Sequence, residues 1–131
     1  ELPAWLAIAE RGREALRRGA YAEARAAYEE ALAAAGPDVD EKAAGDERLV
    51  RALAGTRYNL ACLCALLSVG RTSPDEAGPM PPAEEAARLR DQAFAWLRLA
   101  LASGAIDRAQ MERDPDLTPL HEDPRWGEMG R

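Results

Sequence analysis

Aromatic side chains are scarce in this chain: only 5% of its 131 residues are Phe, Trp or Tyr, with a single Phe. β-Branched stretches alternating with period two are equally rare, which leaves an all-β or mixed sheet architecture without its usual signal. No run reaches the roughly 18 apolar residues needed to cross a membrane. His121 is the one histidine, and no nucleophile, base and orienting group can be gathered around it. The two cysteines lack the spacing of an extracellular disulfide framework, so a reducing, cytoplasmic compartment is expected. Lys42 is the only lysine, and the net charge of -6 argues against a phosphate-binding surface, hence against nucleic acid and membrane as partners. The opening "ELPAWLAIAERGR" has neither a basic n-region nor an initiator Met and is expected to be a domain cut from a longer chain, not a signal peptide.

Alanine supplies much of the 47% hydrophobic content. It is the best helix former and lets helices approach closely, so the spacing of the larger residues predicts the elements. Pro3 opens a helix to about Arg18, and Gly19-Ala20 breaks it. Tyr21, Ala24, Tyr28, Ala31 and Leu32 form one face of a second helix that stops at Gly36-Pro37. Residues 38–46 are polar and read as a loop. Leucines at 49, 53, 60, 63, 66 and 67 predict a third helix from Glu47. Residues 69–82, rich in Gly, Pro and Ser, read as an exposed insertion whose composition favours a disordered spacer. A fourth helix follows to about Ser103, apolar at Leu89, Ala93, Trp96, Leu97, Ala100 and Leu101. A short helix covers 107–113, and a tail dense in Asp-Pro docks Leu117, Leu120 and Trp126 as turns.

The second and fourth helices can be overlaid, since Ala24, Tyr28 and Ala31 share the spacing of Ala93, Leu97 and Ala100. With Gly12 before the first turn and Asn59-Leu60-Ala61 in the third helix, the chain resembles the tetratricopeptide repeat, which pairs antiparallel helices in units of about 34 residues. "YNLACLCALL" and "DPDLTPLHEDPRW" resemble the closing unit of certain bacterial arrays of this family. Ile8 replaces the family's large aromatic, Arg11 takes a leucine position, and the insertion lengthens the second unit. The resemblance implies an all-α domain over 1–131: two antiparallel hairpins (1–37 and 47–104) of a right-handed α-solenoid, then a capping helix and tail over 105–131.

It also implies the site. The family binds partners on a concave face lined by the first helix of each pair, here Leu6, Ala9, Arg13, Leu16 and Arg17, then Arg51, Gly55, Tyr58, Asn59, Cys62, Ala65 and Leu66. Arg13 and Arg17 share a helix face and, with Arg51, make a cationic strip suited to an acidic segment or a terminal carboxylate. The competing expectation is that these arginines are solvated or paired with Glu10, Glu14 or Glu47. A chaperone-tail carboxylate clamp is rejected as the leading idea: Asn59 matches one of its places, but Ala9 and Arg13 stand where the clamp has Lys and Asn, and a third full unit is missing.

Chemistry offers less. Cys62 and Cys64 point roughly 200° apart on a helix, so they are expected to pack rather than to chelate or oxidise together. Asp residues before Pro are expected to cap turns, and no Gly-rich phosphate loop or calcium loop is present. The expected function is therefore a non-catalytic protein-binding module without cofactor or metal. The alternative is a structural end cap or a self-associating unit, up to a homodimer, of a longer array.

Overall fold

The computed structural model describes residues 2–129. It is built from helices: α1 (Ala4–Arg17), α2 (Tyr21–Ala35), α3 (Val39–Ala43), α4 (Glu47–Ser68), α5 (Ala83–Ala102) and α6 (Arg108–Arg113), followed by 3₁₀ segments at Pro115–Leu120 and Pro124–Glu128. A two-stranded antiparallel ribbon, β1 (Arg71–Ser73) and β2 (Glu76–Ala77), is the sole sheet among the described residues.

α1 and α2 pack as one pair and α4 and α5 as another. The first pair closes at Gly12, where an added Cβ would lie 2.9 Å from the Tyr28 ring, so the missing side chain sets how near the two helices come. The Tyr28 hydroxyl accepts from the Asn59 side-chain amide at 3.1 Å, which joins α2 to α4. The main core gathers Leu60, Leu63, Phe94 and Leu97 of the second pair, each at most 1% exposed, with Met111, Leu117 and Leu120 laid over them. A smaller core of Trp5, Ala9, Ala31, Val39 and Leu53 sits at the other end.

Two connections differ from their sequence reading. The expected loop over residues 38–46 contains α3, because Val39 and Ala43 are one helical turn apart and both are buried in or beside the smaller core. Asp40 of α3 receives a bidentate bond from Arg57 of α4 at 2.9 and 3.0 Å. The insertion over 69–82 is not a structureless spacer. It forms the β-ribbon, tied by Gly78 N–H to the Gly70 carbonyl at 2.7 Å and by the Arg71 guanidinium to the Pro74 carbonyl at 2.6 Å. Short-range bonds of this kind order a turn whose residues are too polar to join a core.

The tail follows its reading more closely. Leu117 and Leu120 are fully buried, while Trp126 is only half-buried, against His121 and Arg108. Asp114 and Asp123, each before a Pro, accept the backbone N–H two residues on at 2.9 Å. That bond caps the first free backbone donor after the proline, which has none, and starts each 3₁₀ segment.

Candidate binding groove

Along α1, residues three and four apart return to one face, and Leu6, Ala9 and Arg13 do so. Along α4 the same spacing aligns Arg51, Gly55 and Asn59. The two faces meet over a cavity of about 80 Å³ lined by these six residues together with Glu10, Tyr28, Ala52 and Thr56. More of its wall is apolar than polar. The Thr56 hydroxyl donates to the Ala52 carbonyl at 2.8 Å, and the Asn59 amide donates to the Tyr28 hydroxyl.

The arginines stand at the rim beside the acids named in the competing expectation. Arg13 meets Glu10 at 3.1 Å, Arg17 meets Glu14 at 3.5 Å and Arg51 meets Glu47 at 2.7 Å. Each of these six side chains is more than half exposed, and each pair lies within one helix turn. Exposed pairs of this kind hold about 0.3–0.5 kcal/mol and exchange readily for a better carboxylate. Arg17 lies outside the cavity lining, and Leu16 is half-buried against the main core.

The remaining residues of the expected face are covered. Tyr58, Cys62 and Leu66 are 7%, 7% and 8% exposed, and Ala65 is fully buried. The tail segment Pro115–Leu120 packs on α4, and Asp114, just before it, anchors there: its Oδ2 accepts from the Tyr58 hydroxyl at 2.6 Å and from the Cys62 thiol at 3.8 Å. The open groove therefore ends at Asn59, about 12 Å along α4 from Arg51. Asp114 was legible in the sequence only as a turn residue. Its second role depends on the tail folding back across more than 50 residues, which no local pattern records. Tyr28 and Thr56, which close the cavity, carry no sequence signal beyond helix packing.

One grouping among the described residues brings metal-ligating side chains together: Cys62 Sγ and carboxylate oxygens of Asp114 and Asp116 lie within 4.8 Å of one another. Burial pushes the Cys62 thiol well up, and the two carboxylates add to the effect. Burial likewise raises the Tyr58 phenol, reinforced by its bond to Asp114, and raises Asp116, which also faces Asp114. The cluster thus keeps its thiol and phenol protonated and uses both protons on one carboxylate. That arrangement holds the tail in place against α4. Cys64 is buried and free, and its thiol faces the Gln92 carbonyl oxygen at 3.7 Å.

No helix among the described residues is long and apolar enough to cross a membrane. The chain matches no protein-family model, no curated protein and no solved structure.

Proposed function

We propose that this chain is a non-catalytic interaction module of tetratricopeptide type, with its two helix pairs arranged as a right-handed solenoid. It binds a short acidic segment of another protein in the cleft between α1 and α4. The observation that carries this reading is the cavity shared by Leu6, Ala9, Arg13, Arg51, Gly55 and Asn59, a mainly apolar opening with two guanidinium groups and the Glu10 carboxylate around it. Arginine grips carboxylates with two parallel bonds, and the weak intrahelical pairs at the rim are poor competitors for that geometry. With the tail closing the groove beyond Asn59, an extended segment at about 3.3 Å per residue engages roughly four residues. Such a module works in the cytoplasm, most simply as the closing part of a larger bacterial protein.

Panning a random dodecapeptide phage library on the immobilised protein tests this. Acidic peptides are expected to be enriched. A synthetic copy of the most enriched peptide should bind at least tenfold more weakly to Arg13→Glu/Arg51→Glu, and more weakly as salt rises. Enrichment without acidic residues, or equal binding by the double variant, overturns the reading.

A specific observation favours the alternative of a structural end cap. At the outer end of the first helix pair, Pro3, Ala4, Trp5, Ala34, Ala35, Val39, Lys42, Ala43 and Leu49 line an open depression of about 340 Å³. A preceding helix pair or a second copy would cover it. Light scattering over a wide concentration range separates these outcomes, because a second copy doubles the mass.

A further inference from the structure

Two glycines lie inside long helices, and their surroundings differ. Gly12 is required by packing, since a side chain there would strike Tyr28. Gly55 is not. It sits in the middle of α4, the helix runs through it unbroken, and an added Cβ would find nothing within 4 Å. A glycine in a helix interior destabilises the fold relative to alanine, because more backbone freedom is lost on folding. Neither a turn nor a close helix contact accounts for Gly55 within the chain.

The space that its side chain would fill is the cavity between α1 and α4. The surrounding apolar groups are Leu6, Ala9 and Ala52, while the Thr56 hydroxyl proton and one Asn59 N–H are bonded internally. Apolar surface makes up the larger part of the opening, which therefore suits an apolar group. At about 80 Å³ it has roughly half the volume of a core cavity that takes benzene. That holds a methyl to isopropyl group and is too small to enclose an aromatic ring.

We infer that Gly55 is a specificity-determining residue: it holds open a pocket that receives one small apolar side chain, such as Ala or Val, from a partner segment whose flanking carboxylates meet Arg13 and Arg51. This rests on the proposed binding reading and adds to it what the partner must carry between its acids. Arg13 and Arg51, exchanging Glu10 and Glu47 for the partner's acids, hold the carboxylates, and the absence of a Cβ selects the size of the residue between them.

Gly55→Ala separates the two ideas, because it leaves Arg13 and Arg51 in place. The melting temperature of Gly55→Ala is expected to rise by roughly 2–6 °C, as a better helix former enters open space. The same dodecapeptide library panned on the wild type should enrich acidic peptides carrying a small apolar residue between acids. The most enriched of these, made synthetically, should bind Gly55→Ala at least tenfold more weakly. A lowered melting temperature would assign the glycine to the fold and overturn the inference. So would equal binding by Gly55→Ala, or an acidic pool with large residues at the central position, while the binding reading survived both. If the wild type enriches no acidic peptides, the binding reading fails and this inference with it.

Discussion

At the scale of single residues, small side chains decide more than large ones. Gly12 shows how. The Tyr28 ring occupies the place of its missing Cβ, and a ring wedged between α1 and α2 has little room to retreat because Tyr28 also holds Asn59. Gly12→Ala is therefore expected to cost about 1–3 kcal/mol, the usual penalty for overpacking, despite the gain in helix propensity. Urea unfolding measures this, and a variant as stable as the wild type would mean that the helix pair can open at no cost. In the sequence Gly12 stood out only as a small residue placed before the Gly19-Ala20 turn, where the tetratricopeptide resemblance has one. The sequence did not distinguish Gly12 from Gly55 by their surroundings, since the difference lies in what faces each residue across the fold.

At the scale of elements, legibility follows the range of the forces. The boundaries of α1, α2, α4 and α5 were readable because alanine-rich stretches with periodic leucines and Gly or Pro stops are local signals. α3 was not, because five polar-looking residues become a helix only when Val39 and Ala43 find the smaller core and Arg57 finds Asp40. The groove was half legible for the same reason. Arg51, Gly55 and Asn59 line one face of α4, but the residues expected to continue it are covered by a segment more than 50 residues away in sequence. The tail is thus an integral layer of the core. Leu120 is fully buried against it, so Leu120→Ala is expected to destabilise the protein by about 2–5 kcal/mol. Truncation after Asp114 should lower the melting temperature by at least several degrees and expose Tyr58 and Cys62. Thermal unfolding with thiol labelling reads both effects. An unchanged melting temperature and a Cys62 that stays unreactive would mean that the tail only rests on α4.

At the scale of the whole molecule, the ionisable groups set how stability depends on pH, and the two limbs have different origins. Asp123 is held down to about 2 by the Arg125 guanidinium, and Asp40 is lowered by Arg57. A carboxyl depressed in the fold stabilises above its unfolded value near 3.8 and loses that contribution as the pH falls through its folded one. Asp116 is raised and acts in the opposite direction, favouring the fold as acid is added, so the acid limb is shallow. On the alkaline side the contributions share a sign. Burial pushes Cys64 up to about 11 from 9.0 and carries Cys62, Tyr58, Tyr28 and Tyr21 upward as well. A group raised in the fold gives its full stability below the unfolded value, and that stability drains away as pH rises from there through the folded one. The unfolded chain then releases protons that the folded one retains. The melting temperature is therefore expected to hold a plateau around neutrality, to fall gently below pH 4 and to fall steeply from about pH 9 onward. Cys62→Ala/Cys64→Ala removes two of the five alkaline contributors and should make that limb less steep. Melts of both proteins from pH 2 to 11 give the comparison. An alkaline limb of the same slope in the variant would mean that the cysteines titrate alike folded and unfolded, and that the thiol between Tyr58 and Asp114 is open to solvent.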